Sequence, residues 1–382
     1  MYTEFLLVNT LLFVGIMLPV LTFARSCPKM APCSLLAIAV FLSALKATAP
    51  DSPINSLFAP LIDAKSPGAA VLIRKNGHTV FSQGYRLADL RTSASIDDQT
   101  NFRLASVSKQ FTAMAIMLLV HDGKLRYDQN LAEIFPGFPA YGRAITVRHL
   151  LNHTSGLADY ETLMEAKEKT AGPIWSTTKQ IRDDEVFVLL AQQEAGDFAP
   201  GTNWAYSNSG YVVLGLIVAK ISGLPFPEFL QRRMFVPLQM SHTIAYVNGQ
   251  NTIRHRAYGY SKKDGHFIDT DQSSTSATLG DGGIYSNLRD LARWDEALAS
   301  NKLLSKAQMA PAADPVPPKS YGFGWFLNPI DRHSRMWHAG ETSGFRTVIE
   351  RFPTESLSIV ILCNRTDLDP ADLAEKIVPR YF

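Results

Sequence analysis

The chain has 382 residues, with 37 Lys+Arg against 35 Asp+Glu, 46% apolar residues and 19% charged ones. That length supports a large buried core, and the formal charge of +2 lacks the basic excess of a nucleic-acid binder. Near-average glycine and proline, and no repeat period of 20–50 residues, exclude collagen-like, low-complexity, solenoid and propeller classes.

Residues 1–49 read as a targeting leader. Two apolar stretches, Phe5–Ala24 and Ala31–Ala49, flank Arg25-Ser26-Cys27-Pro28-Lys29, and each approaches the length of a membrane span. The second is a complete signal-peptide pattern: a basic start at Arg25 to Lys29, an apolar core Leu35–Leu45, and the small-residue exit Ala47-Thr48-Ala49. Export with cleavage near Ala49 is expected, to the periplasm or the medium; a retained anchor on Phe5–Ala24 is the alternative. Met30 is a second possible start. The leader holds three bases, one acid and two of the three cysteines, so the body carries 34 bases, 34 acids and only Cys363. Lying in the apolar run Leu357–Cys363, that thiol is expected in the core.

The body, residues 50–382, begins with a short amphipathic helix over Ser52–Lys65. Strands follow at Ala69–Arg74 and Thr79–Gly84, around the hairpin dipeptide Asn76-Gly77. A long apolar helix runs from about Ala105 to Val120. Mostly helical signals continue to Tyr258, with helices over Lys179–Gln193 and Tyr211–Ser222. Asn287 with Asp290 marks a further helix start. Tyr321–Leu327, Phe345–Phe352 and Leu357–Cys363 read as strands, and Pro370–Tyr381 as a closing helix. Strands at both ends of the body predict an α+β fold, an antiparallel sheet flanked by helices (residues 50–100 and 270–382) with an inserted helical lobe (101–269).

Three motifs carry chemistry. Ser106-Val107-Ser108-Lys109 places a hydroxyl and an amine on one helix face, about 5–6 Å apart at Cβ. A serine is a weak nucleophile until a neighbouring base takes its proton, and a helix N-terminus favours the negative charge that develops. Ser-x-x-Lys recurs at Ser26, Ser43 and Ser176, but only Ser106 opens an apolar helix, Phe111–Val120, able to bury its lysine. Tyr206-Ser207-Asn208 offers a proton shuttle and an amide; in isolation Tyr206 reads as an ordinary core tyrosine. A second Tyr-Ser-Asn, at Tyr285, is explained by the Asn287 cap. His338-Ala339-Gly340 leaves room for a substrate backbone along a strand edge, with the N–H of Glu341 and Ser106 as an oxyanion pair. His149 and His153 stand at i, i+4 but flank a Thr-Ser-Gly turn, with no third metal ligand in the pattern. No Gly-x-Ser-x-Gly occurs, which counts against an α/β-hydrolase.

In this order, the three motifs resemble the serine β-lactamase and penicillin-binding superfamily, and most closely class C β-lactamases, related DD-carboxypeptidases, D-aminopeptidases and esterases. Phe102–Thr112, Ile145–Leu157, Pro200–Tyr211 with Leu214-Gly215, and Gly282–Ser286 extend the resemblance from about Pro67 to Cys363. It implies Ser106 as nucleophile, Lys109 as its partner, Tyr206 as proton shuttle and Asn208 as the contact to a substrate amide. It also implies substrate contacts at His338, Gly340 and Glu341. His338 stands where many class C enzymes carry lysine, so the grip on a substrate carboxylate should be weaker. Arg346 behind it faces either a carboxylate or solvent. The implied function is a metal- and cofactor-free serine hydrolase acting on β-lactams, D-amino-acid peptides or amides, or esters. A sensor acylated without turnover and an inactive scaffold are the alternatives. The expected partner is a small-molecule or peptide substrate, with membrane association only through the leader, and the sequence is silent on oligomeric state.

Overall fold

The computed structural model describes residues 53–59, 65–314 and 320–382. The leader, its cleavage site, Cys27 and Cys33 lie outside the described residues. In chain order, helix α1 is Asn55–Phe58, followed by strands β1 (Ala69–Lys75) and β2 (His78–Tyr85). Helices α2 (Lys109–His121), α3 (Tyr160–Ala171), α4 (Asp183–Ala191), α5 (Asn208–Ser222) and α6 (Leu288–Ala299) come next. Strands β3 (Met336–Thr342), β4 (Phe345–Phe352) and β5 (Leu357–Cys363), and helix α7 (Pro370–Ile377), close the chain.

The five strands form one antiparallel sheet in the order β3-β4-β5-β1-β2, so the two ends of the body pair as expected. The β1–β2 turn has Asn76 at φ 51° and Gly77 at φ 78°, the two positive angles that a type I′ hairpin demands. The period-2 alternation of β1 divides two cores. Ala70 and Leu72 pack towards the helical block with α2 and α5; Val71 and Ile73 pack with Phe58 and the Leu373–Ile377 face of α7. The larger of these side chains, Leu72, Val71, Ile73 and Phe58, each contribute about 1.5–3 kcal/mol by leaving water. β5 is buried throughout, Cys363 included, which is why it reads as one apolar run.

Four expectations shift. Tyr321–Leu327 makes only isolated bridges, Tyr321 with Phe326 and Phe326 with Trp337. Gly324, at φ 79°, lies so close to the α2 backbone that a Cβ would come 2.7 Å from the Gln110 Cα, which turns this segment into an aromatic loop. β3 had no apolar signature because it is the sheet's edge and carries His338, Glu341 and Thr342. The helix expected from Lys179 starts at Asp183, where acidic residues fill its first turn. At Asn287 the cap forms, its side chain accepting the Asp290 N–H, but the Asp290 carboxylate turns away to the N–H of His242 and the hydroxyl of Thr243.

Candidate active site

A turn of 3-10 helix, Ala105–Ser108, leads directly into α2. Ala105 sits at φ +49°, a left-handed angle that costs a non-glycine residue about 1–3 kcal/mol. It lifts Ser106 half-buried at the start of the helix. One turn on, Lys109 is fully buried. Its Nζ donates to Ser106 Oγ at 3.0 Å, Asn208 Oδ1 at 2.9 Å and the Asp281 carbonyl at 2.9 Å. Every donor of the ammonium is thereby used. The same Nζ lies 4.9 Å from the centroid of the Tyr206 ring, in cation–π range. Ser106, Lys109, Tyr206 and Asn208 are thus brought to one point.

Two loops fix the start of α5. The Ser207 hydroxyl caps the helix by accepting the Gly210 N–H. The N–H of Ser207 donates to His153 Nδ1 at 3.1 Å, and that of Asn208 to Asp159 Oδ2 at 3.1 Å. His153 is buried at φ 61° among the rings of Tyr206, Tyr321 and Tyr211, at 4.4, 4.5 and 5.1 Å. Because Nδ1 accepts, the proton rests on Nε2. His149 instead completes a capping box with Thr146. Both rings of the i, i+4 pair therefore serve backbone groups. Sequence reading did not foresee His153 or Asp159 as supports of the Tyr206–Asn208 loop, since 49 to 54 residues separate the partners.

His338 comes to the cluster in another role than expected. It is 2% exposed, Nδ1 donates to its neighbour's carbonyl at Ala339 (2.6 Å), and Nε2 accepts from the Tyr321 hydroxyl (3.0 Å). With both nitrogens used internally, it is a wall behind Tyr206 and not a polar contact for substrate. Burial, then the Lys109 charge, pushes its pKa down to about 3. Burial also holds His153 well below the usual histidine value. Unfolded histidines titrate near 6.5, so between about pH 6.5 and 3 the unfolded chain binds more protons. The stability that comes from keeping these rings neutral is complete above pH 6.5 and declines as pH falls. Each ring should contribute up to ~1.4 kcal/mol of loss per pH unit. Urea midpoints at pH 7 and 5 should show this fall, and His338→Gln should flatten it.

Gly340 has a steric reason. A Cβ there would meet the Leu104 carbonyl oxygen at 2.2 Å and Thr347 Oγ1 at 2.3 Å. Thr347 Oγ1 already donates to that carbonyl at 2.8 Å. The glycine thus lets the edge strand press against the turn that carries Ser106. Gly340→Ala should destabilise the chain by about 1–3 kcal/mol and part β3 from Ser106, lowering both the melting temperature and kcat. Glu341 and Arg346 pair across the β3–β4 end, Nε to Oε2 at 3.5 Å, and Arg346 Nη1 donates to the Thr342 and Phe345 carbonyls. Arg346 is therefore a clamp on the strand turn.

Beside the end of β3 lies a cavity of about 580 Å³. Glu161, Glu165 and Glu168 of α3 face Glu341, Thr342 and Ser343 across it, with Arg346 as the one basic lining residue. Glu168 Oε1 is held by the N–H groups of Ile174 and Trp175. The Glu161 pKa is raised, first by partial desolvation and then by Asp159 and Asp281, with Lys109 offsetting part of the rise. The i, i+4, i+7 spacing of these three glutamates was the available sequence signal. On a helix that spacing makes one acidic face, which the fold sets against β3.

A family model described as Beta-lactamase matches residues 54–378. The chain is 31% identical over 332 residues to penicillin-binding protein 4* of Bacillus subtilis, covering 82% of this chain and 72% of that protein. It is 27% identical over 306 residues to a D-aminopeptidase of Cereibacter sphaeroides, covering 78% of this chain and 57% of that longer protein. It also covers less than two thirds of the protein flp of Staphylococcus aureus, 59% of its length. Among solved structures, a D-amino acid amidase from Ochrobactrum anthropi superposes with a TM-score of 0.70 at 26% identity, over 83% of this chain and 91% of that one.

Proposed function

The chain belongs to the beta-lactamase family, within the serine β-lactamase and penicillin-binding superfamily, and from that premise we propose that it hydrolyses amino-acid amides or short D-peptides that carry a free ammonium group. The observation that carries this reading is the carboxylate-lined cavity beside β3, together with a third-motif histidine that is neutral and buried. A β-lactam brings a carboxylate, which such a cleft repels; an α-ammonium is attracted. The D configuration is supported by the similarity to a D-aminopeptidase and a D-amino acid amidase.

In this mechanism Ser106 Oγ attacks the amide carbonyl. The Lys109 ammonium, at 3.0 Å, stabilises the alkoxide as its proton leaves. Tyr206 passes that proton to the departing amine, and Asn208, anchored by Lys109 and Asp159, holds the substrate amide. The N–H groups of Ser106 and Glu341 receive the oxyanion, and water then releases the acyl group. Glu161 takes the substrate ammonium.

The test compares D-phenylalanine amide, its N-acetyl derivative and a chromogenic cephalosporin. The free amide should exceed the other two in kcat/KM by about tenfold or more, and Glu161→Gln should raise its KM with little change in kcat. Equal turnover of the acetylated amide would overturn the ammonium assignment. Persistent label with fluorescent penicillin and no turnover would mean a sensor instead. Export belongs to the same proposal and rests on the leader pattern. Sequencing the secreted chain should give a start near Pro50, and a mature chain retaining Phe5–Ala24 would mean an anchor.

A further inference from the structure

A second cavity, of about 800 Å³, opens on the helical-block side of the sheet between the C-terminal half of α6 and the β4–β5 turn. Its floor is an ion cluster with unequal charge. Arg74 Nε and Arg351 Nε both donate to the single carboxylate of Asp295, at 2.9 and 2.8 Å, and the Ser358 hydroxyl donates to it at 2.5 Å. All three charged side chains are at least nine-tenths buried. Two guanidiniums against one carboxylate leave a net positive charge in a site largely shielded from water. Such a charge is costly unless an anion answers it.

The hydrogen bonds point the same way. Arg74 Nη2 donates to the Gly77 carbonyl, and Arg351 Nη2 to the Asp295 carbonyl. The Nη1 atoms of both arginines donate to nothing among the described residues, and neither is sealed from solvent. Over this floor stand apolar walls from Leu298, Met309 and Met336, while at the rim Lys306 offsets Glu296. The volume lies in the range of small-ligand sites, about 300–1,000 Å³.

We propose that this cavity binds an amphiphilic carboxylate, an alkyl-chain acid whose head group bonds the two Nη1 donors and whose tail lies on the apolar walls. Guanidinium and carboxylate match as planar, charge-assisted partners. The site is separate from the Ser106 cluster, and this inference does not depend on which substrate Ser106 takes.

Calorimetry on the full chain with dodecanoate, below its micelle concentration, tests it. One dodecanoate should bind per chain, with affinity about tenfold or more above that of dodecanol or dodecyltrimethylammonium. Arg351→Gln leaves Arg74 paired one-to-one with Asp295 and should lower dodecanoate affinity by a similar factor. Should that variant fail to fold, the head-group series on the unaltered chain still decides. Indifference to the head group, no binding of dodecanoate, or a folded Arg351→Gln chain that binds it as before would each overturn the proposal.

Discussion

Ser106→Ala is expected to abolish turnover, with kcat falling roughly 10⁴–10⁶-fold, while the fold persists. The two halves of this expectation have separate causes. The hydroxyl is the one group at the helix start placed both to attack and to meet the Lys109 ammonium, so without it no acyl-enzyme forms. Its structural contribution is limited: it is half-buried and supplies one of three acceptors for Lys109, a charge-assisted bond worth about 1.5–3 kcal/mol net. Rates with D-phenylalanine amide and thermal melts on the same preparation check both halves. Unchanged turnover would refute the nucleophile assignment.

Lys109 should matter almost as much for rate and more for stability. Lys109→Ala removes a fully buried stem and all three hydrogen bonds, leaving Asn208 Oδ1 and the Asp281 carbonyl without their donor. Each stranded acceptor costs about 1–3 kcal/mol, and the cavity adds to that. Loss of activity in the alanine variant therefore mixes chemistry with disorder. Lys109→Met separates them, because it restores most of the stem volume without the charge. The methionine variant should melt closer to the parent than alanine does, yet lose kcat by roughly 10⁴-fold or more. A Lys109→Met chain with near-parental kcat would show that the ammonium is dispensable.

These two residues were legible because they are local. Serine and lysine three apart at the head of an apolar helix must share a face, whatever the rest of the chain does. The Asn76-Gly77 hairpin and the Asn287 cap were legible for the same reason: backbone angles and cap bonds are set within a few residues. The Tyr321–Leu327 segment misled because alternating aromatics look like a strand, whereas Gly324 bends it onto α2. The edge strand β3 stayed hidden because an edge needs no apolar alternation.

The sequence by itself determined the superfamily, the α+β class with its end-to-end sheet, and the short spacing that makes Ser106 and Lys109 partners. Tertiary structure alone decided what surrounds them. It spent the Lys109 donors on Asn208 and Asp281, 99 and 172 residues away, and buried His338 as a neutral wall. It also turned the Glu161 face of α3 towards β3 and joined Arg74 to Asp295 across 221 residues. The physical reason is range. Helix periodicity, turn angles and caps act over a few residues, whereas the charge and dryness that tune a site come from whichever distant segments the core packs against it.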